Sequence, residues 1–281
     1  MSVQILTDST SDILPQEGRE RHIHVVPLKV AFGARCFQDG VDLSHADFYR
    51  ELKAHQALPT TSQPAPEDFL PYFEAARAAG DSLVCILLSG ALSGTVQTAR
   101  IAKELCGYED ITVIDSRNTI VGLRALVDLA CLLRDQGADA REIQEEIERA
   151  RDHIALYGLI HTMTYLHKGG RVPTAVALAG TLLKVKPIIT VDDGRVELIG
   201  KGMGMRGGMK WVLDRIGDDP QADPRLPVYF GYSESPEYAQ ELCAQFEEKY
   251  RPAGVGLHSV GAIIGTHVGP RGAVVSYLKK F

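Results

Sequence analysis

The sequence predicts a mixed α/β protein with a parallel sheet in its first half and a mixed sheet in its second half. In the first half, short apolar segments alternate with amphipathic ones, which is typical of parallel strands connected by helices. In the second half, a hairpin signal interrupts that alternation. We therefore expect an N-terminal α/β domain over residues 1–156 and a C-terminal α+β domain with a mixed sheet over residues 157–281.

Local patterns define the elements of the first half. Ser44, with Asp47 three residues later, matches a capping box at a helix start, and Gly80 suits a helix end. Apolar runs predict strands over 3–8, 24–32, 82–89 and 111–115, and helical spacing predicts helices over 44–55, 66–80, 95–107, 121–136 and 139–153.

The second half mixes hairpin and helix signals. Asp193-Gly194 predicts the turn of a hairpin over 186–200, and Ser235 followed by Pro236 predicts an N-cap and a first helical residue. The remaining expectations are a strand over 157–163, a loop over 167–171, an apolar helix over 175–183, a helix over 209–216, a strand over 227–232, a helix over 235–250, and a glycine-rich loop leading into a strand over 263–278.

Composition narrows the class of protein. The 281 residues are 45% hydrophobic and 23% charged, as in soluble globular proteins. The net charge of −6 argues against a nucleic-acid partner, which needs clustered basic residues. Five widely spaced cysteines without a CxxC pair indicate neither a disulfide framework nor a metal site, and we expect a cytoplasmic protein without a cofactor. We find no signal peptide and no membrane span in the pattern.

Two polar loops come first along the chain, each near the end of a predicted element. In "TDSTSD" (7–12), the hydroxyls and carboxylates either bind a ligand or cap a helix. In "LPTTSQPAP" (58–66), prolines flank three hydroxyls, those of Thr60, Thr61 and Ser62, and hold them at low entropic cost. The alternative for the second loop is a plain helix entry.

The third loop, "LSGALSGT" (88–95), has the composition of an anion site. Ser93 and Thr95 supply hydroxyls, Gly94 allows close backbone approach, and the following helix directs free N–H groups at the loop. The stretch lacks the Walker, GxGxxG and GxSxG patterns. A phosphate, a serine nucleophile with its ester, a bound carboxylate and an ordinary helix cap without a ligand all stay open at this point.

The fourth loop, "GTHVGPRG" (265–272), carries His267 among glycines and a proline. In such a loop, we expect the imidazole to bind an anion or to act as a base rather than to pack in the core. Arg171 in "HKGGR" and Arg206 in "KGMGMRGGMK" are further candidates for contact with a phosphate or a partner protein.

Together, these stretches resemble the DegV family. "LTDSTSDI", "LPTTSQPAPEDF", "LSGALSGTVQTA", "LHKGGRV", "KVKPII" and "GTHVGP" resemble signatures of that family in its own order, from Thr7 to about Leu278. The resemblance implies a DegV-like fold of two α/β domains with one long-chain fatty acid between them. It further implies a lipid-binding protein that serves as the non-catalytic subunit of a fatty-acid kinase.

The resemblance also implies roles for single residues. The carboxylate of the fatty acid would be held by Thr61, Ser93 and His267, with help from the backbone N–H of Gly94 or Thr95. Arg171, and more loosely Arg206, would contact the kinase subunit or the transferred phosphate. The implied partners are thus a long-chain fatty acid and a fatty-acid kinase subunit. We also expect transient membrane contact.

Elementary energetics agree with this interpretation. Each buried methylene contributes about 0.8 kcal/mol, so roughly 15 methylenes offer on the order of 12 kcal/mol before binding costs. The alternative is a serine hydrolase in which Ser93 is the nucleophile, His267 the base, and Asp115 or Asp8 the residue that orients it. A phosphate or nucleotide binder is a further alternative.

Overall fold

A computed structural model describes residues 2–172 and 184–281 of the chain. The strands are β1 (Val3–Asp8), β2 (Ile23–Val26), β3 (Lys29–Phe32), β4 (Arg35–Gln38), β5 (Thr60–Ser62), β6 (Ser82–Leu87), β7 (Ile111–Asp115), β8 (Ile154–Leu159), β9 (Val185–Asp192), β10 (Arg195–Met203), β11 (Val228–Tyr232), β12 (Val255–Ser259) and β13 (Ala273–Leu278). The helices are α1 (Pro15–Glu20), α2 (His45–Ala54), α3 (Pro66–Ala79), α4 (Thr95–Cys106), α5 (Ile120–Asp135), α6 (Ala140–Ala150), α7 (Thr164–Lys168), α8 (Gly204–Ile216), α9 (Glu237–Tyr250) and α10 (Ala262–Val268).

In the described part of the chain, these strands form three sheets. The first has the order β2-β1-β6-β7 and is parallel throughout. The second has the order β10-β9-β8-β13-β11-β12, in which β11 and β12 are parallel and the other pairs antiparallel. A small antiparallel sheet has the order β4-β3-β5. The predicted fold class, a parallel sheet followed by a mixed one, is confirmed.

Helix α5 lies between the parallel and the mixed sheet. Its side chains are buried on nearly every face, because they contact β1 and β6 on one side and β11 and β13 on the other. The resulting hydrophobic cluster contains Ile5 and Val84 of the parallel sheet together with Leu156 and Val274 of the mixed sheet. A continuous core thus joins the two sheets. The division into domains 1–156 and 157–281 stays a prediction.

Several local predictions are confirmed. Ser44 accepts a hydrogen bond from the Asp47 N–H at the start of α2, and Gly80 ends α3. Asp193 and Gly194 form the turn between β9 and β10. None of the helices in the described residues is both long and apolar enough to cross a membrane.

Four boundaries differ from the prediction. The single strand expected over 24–32 is two strands in different sheets, because Pro27 and Leu28 separate β2 from β3. The strand expected over 157–163 runs from Ile154 to Leu159. The loop expected over 167–171 begins inside α7, and the helix expected from residue 209 begins at Gly204. The apolar helix expected over 175–183 lies outside the described residues.

The two remaining corrections concern helix starts. Ser235 does not cap α9, which begins at Glu237; its hydroxyl bonds to the Glu237 carboxylate instead. The loop expected to begin at residue 263 is helix α10, and the irregular segment before β13 is confined to residues 269–272. This second difference changes the setting of His267.

Candidate functional site

A cavity of about 300 Å³ is lined by the mixed sheet, by β5 of the small sheet, by the loop between β6 and α4, and by α10. Both halves of the chain line it. Its polar lining includes Thr61, Ser62, Gln63, Ser93, Gly94, Arg171 and His267. Most of the other lining residues are apolar, among them Leu28, Leu88, Leu92, Ile120, Leu156, Ile160, Leu166, Ile189, Val191, Val196, Val260, Ile263, Ile264, Val268 and Val274. The cavity is at the lower end of the size range of ligand pockets and combines a long apolar surface with a few convergent polar groups.

Thr61 and His267 meet at the polar part of the cavity. Thr61 is in β5, which pairs with β3 so that Thr61 lies opposite Val30. The Thr61 hydroxyl lies 3.0 Å from Nε2 of His267, a hydrogen bond between residues 206 positions apart. This contact joins the small sheet of the N-terminal half to α10 of the C-terminal half.

Ser93 lies in the loop between β6 and α4. Its hydroxyl is 2.9 Å from that of Thr95, which is fully buried and is not among the lining residues. Thr95 therefore positions Ser93 rather than facing the cavity. Gly94 is the N-cap of α4 and provides no capping side chain. The Thr95 N–H donates a hydrogen bond to the Ser93 hydroxyl at 3.4 Å, and the N–H groups that follow it in the first turn have no acceptor within the helix.

A side chain at Gly94 would meet the Gln63 amide. A Cβ at this position would lie 2.2 Å from Oε1 of Gln63. Gln63 is itself held by the hydrogen bond that its Nε2 donates to Oγ1 of Thr98, at 2.7 Å. A side chain at residue 94 would thus displace a fixed amide from the polar part of the cavity.

His267 is buried, with 7% of its surface exposed, and lies in the last turn of α10. The expectation of a loop histidine is therefore wrong, although the imidazole does face the cavity. Burial, with a smaller effect of the positive charge of Arg171, lowers the pKa of His267 to about 4. The ring is thus neutral at pH 7, and its Nδ1 has no hydrogen-bond partner among the described residues.

The structure separates the two candidate arginines. Arg171 lines the cavity, and its guanidinium donates a hydrogen bond to the carbonyl of Gly169, at 2.6 Å. Arg206 lies on α8 with its side chain 86% exposed, and it pairs with Glu241 at 3.0 Å. Arg206 is not among the residues that line the cavity.

The N-terminus of α10, and with it His267, is held by residues for which the sequence reasoning predicted no such role. Asp12 accepts a hydrogen bond from the Gly261 N–H, and Asp39 accepts one from the Ala262 N–H, both at 2.9 Å. Tyr49 donates to the Val260 carbonyl at 3.0 Å. Two carboxylates at a helix N-terminus are favoured by the helix dipole. Of these three residues, Asp12 lies in the polar stretch "TDSTSD", so for Asp12 the sequence did contain a signal of a functional role.

Burial has opposite effects on these carboxylates and on His267. Asp12 and Asp39 are at most 5% exposed, and loss of solvation raises the pKa of each carboxyl. The pKa of Asp8 is raised for the same reason. The Asp8 carboxylate accepts hydrogen bonds from the Leu88 N–H and from Thr10, so it fixes the end of β6 next to the serine loop.

The arrangement does not form a hydrolase triad. The Ser93 hydroxyl bonds to Thr95, and Nε2 of His267 bonds to Thr61. The Asp115 carboxylate, which a triad would need to orient the histidine, accepts hydrogen bonds from the backbone N–H groups of Gly90 and Arg117 instead. In residues 2–172 and 184–281, no cluster of three or more His, Cys, Asp or Glu side chains could hold a metal ion.

Comparison with known proteins identifies the family. The family model described as an uncharacterised protein of the DegV family matches residues 2–280. The chain belongs to the DegV family. A DegV domain-containing protein of Caldanaerobacter subterraneus is 31% identical over 278 residues, which cover 99% of each chain. The family resemblance predicted from the motifs is thereby confirmed.

Solved structures of DegV proteins share the whole fold. A structure reporting fatty acid binding of a DegV family protein from Thermus thermophilus superposes with a TM-score of 0.89 at 29% identity, and covers 99% of this chain and 100% of that one. DegV of Bacillus subtilis, a fatty acid binding protein, superposes with a TM-score of 0.86 at 27% identity, and covers 99% of this chain and 100% of that one.

Proposed function

We propose that this protein binds one long-chain fatty acid in the cavity between its sheets, with the carboxylate at Thr61, Ser93, Gly94 and His267. The observation that carries the proposal is the Thr61–His267 hydrogen bond at the polar part of a mostly apolar cavity. The two structurally similar DegV proteins that bind fatty acids support it, because their likeness extends over 99% of this chain.

Different lining residues would bind the tail and the head group of such a ligand. The apolar side chains of the mixed sheet, of α10 and of the adjoining loops would cover the hydrocarbon tail and supply most of the affinity. A buried carboxylate without partners would cost several kcal/mol, so the head group needs donors. The hydroxyls of Thr61 and Ser93, a free N–H at the start of α4 and the His267 imidazole are such donors.

His267 would respond to the ligand. A carboxylate beside the ring favours the charged form of the imidazole, opposing the effect of burial. Binding would therefore raise the pKa of His267 from its value of about 4. Arg171, which lowers that pKa in the protein alone, would be partly neutralised by the same carboxylate.

We further propose that the bound acid is presented to a separate kinase subunit, which phosphorylates its carboxylate to an acyl phosphate. Arg171 is exposed and at the same time lines the cavity, so it can contact both the head group and a docked protein. Arg206 would contribute only at the protein surface. A cytoplasmic location and transient contact with a membrane during lipid exchange belong to this same proposal.

The affinity of oleate for Ser93→Ala tests the head-group assignment. Loss of a hydrogen bond to a charged group should weaken binding about 10- to 150-fold. The matched control is Ser235→Ala, because the Ser235 hydroxyl bonds to an exposed carboxylate away from the cavity. If both variants bind oleate as the wild type does, Ser93 does not hold the carboxylate. If no protein binds oleate, the proposed function is wrong.

A further inference from the structure

The hairpin of β9 and β10 leaves the mixed sheet before it reaches its turn. Among the described residues, β9 pairs with β8 only at residues 188–189, so residues 154–157 of β8 have no partner in β9, although they stay paired with β13. β10 has a bulge just after Leu198, the residue that pairs with Ile189. Bulges bend the strand that contains them. Residues 190–197, which we call the flap, therefore extend beyond the sheet from a bend at its edge.

The flap has an apolar inner face and a charged outer face, because side chains alternate between the two faces of a strand. Val191 and Val196 line the cavity, and Val191 also packs against the hydrophobic cluster that joins the two sheets. The side chains of Asp192, Arg195 and Glu197 are exposed. Movement of the flap away from the protein would therefore uncover both valines and open the cavity.

A buried hydrogen bond fastens the tip of the flap to the N-terminal half of the chain. The hydroxyl of Ser89, a fully buried residue, donates to the Gly194 carbonyl at 2.8 Å. Arg117 and Asp193 form an ion pair at 3.4 Å, but both side chains are exposed, and such pairs contribute little to stability. A segment that is held by so few interactions can open locally while the rest of the protein stays folded.

We propose that the flap is a gate through which the hydrocarbon tail of the ligand enters and leaves the cavity, with its hinge at the bulge after Leu198 and with the Ser89–Gly194 hydrogen bond as its latch. This inference rests on the proposed function, because it assigns a route to that ligand. A tail that is covered by lining side chains leaves only when part of the wall moves. The flap can move without breaking the pairing of β8 with β13.

A disulfide across the latch tests the gate. A Cβ at Gly194 would lie 3.6 Å from the Cβ of Ala91, a separation that suits bridged cysteines. In Ala91→Cys/Gly194→Cys, oxidation should slow the exchange of bound oleate for perdeuterated oleate by about tenfold or more, and reduction should restore it. Native mass spectrometry measures this exchange. Gly194 has a φ of 76°, so a cysteine strains the turn, but the oxidised and the reduced form share that strain. The wild type under the same oxidant is the control, because its Cys36 is exposed.

Ser89→Ala removes the latch without a cross-link. Loss of one buried hydrogen bond should favour the open flap about 2- to 10-fold. Association and release of oleate should both become faster by that factor, while the dissociation constant changes less. The matched control is Ser276→Ala, because Ser276 is equally buried and donates to the Ala155 carbonyl at 2.8 Å, but does not line the cavity. It should leave both rates unchanged.

The outcomes separate the gate from the proposed function. If oleate exchanges equally fast in the oxidised and the reduced double variant, the tail does not pass the flap, and the gate is refuted while the proposed function stands. A disulfide that fails to form would contradict the closed position of the flap. If Ser89→Ala weakens affinity without changing the association rate, Ser89 supports only the serine loop and is no latch. If the wild type binds no oleate, the proposed function is wrong, and the gate is wrong with it.

Discussion

Replacement of His267 by Gln should flatten the dependence of stability on pH below neutrality. The imidazole has a pKa of about 4 in the folded protein, against about 6.5 for an unperturbed histidine. As the pH falls below 6.5, the unfolded chain takes up a proton that the folded protein does not, so the free energy of unfolding decreases. Gln is uncharged at every pH and can still reach the Thr61 hydroxyl with its terminal amide.

The size of the effect follows from that difference in pKa. Each pKa unit corresponds to about 1.4 kcal/mol, so the wild type should lose about 2–3 kcal/mol of unfolding free energy through this group between pH 7 and pH 4.5. The ring is 7% exposed, so solvent screens the effect little. Other histidines with a lowered pKa, such as the half-buried His258 at about 4, contribute equally to both proteins and cancel in the comparison.

Urea unfolding of the two proteins after removal of bound lipid, followed by circular dichroism at a series of pH values, measures the difference. The free energy of unfolding of the wild type minus that of His267→Gln should fall steadily from pH 7 to pH 4.5. Two curves that stay parallel over this range would refute the burial argument. They would mean that His267 titrates in the folded protein as it does in the unfolded chain.

Three further predictions use the same structure. Asp12→Asn should change the pH dependence of the unfolding free energy in the opposite direction to His267→Gln. The pKa of Asp12 is raised in the folded protein, so the native state binds a proton that the unfolded chain does not, and the wild type gains stability as the pH falls. Urea unfolding at a series of pH values checks the sign. Gly94→Ala should weaken oleate binding, by no more than about tenfold, because the new Cβ would lie 2.2 Å from Oε1 of Gln63 and this exposed side chain would have to shift; wild-type affinity in a calorimetric titration would contradict this. Arg206→Ala should alter unfolding free energy by less than about 1 kcal/mol, because its pair with Glu241 is exposed, and should lower only the rate of acyl phosphate formation by an added kinase subunit.

Short-range signals in the sequence predicted elements well where one local interaction determines the outcome. The Ser44 cap depends on a hydrogen bond within one helical turn, and the hairpin turn depends on Asp193 and Gly194 themselves. The expected strand over 24–32 failed because Pro27 divides residues that pair in different sheets, and pairing partners are distant in sequence.

The setting of His267 could not be predicted because its glycine-rich surroundings serve packing rather than loop formation. A Cβ on Gly265 would lie 2.6 Å from the Phe48 ring, so this glycine lets α10 approach α2 closely. Helix propensity alone argues against a helix there, and the tertiary contact overrides it. The sequence motif nevertheless identified the histidine that faces the cavity.

The residues that hold α10 were missed for a related reason. Asp12, Asp39 and Tyr49 act on backbone groups more than 200 positions away. No spacing rule connects such distant positions.

Native mass spectrometry tests the central claim most directly. The protein should be measured as purified from bacteria and again after incubation with oleate, with Ser93→Ala measured in parallel. We predict one fatty acid per chain, retained through buffer exchange by the wild type and lost more readily by the variant. A chain mass without lipid in both samples would contradict the claim that the cavity between the sheets is a fatty-acid site.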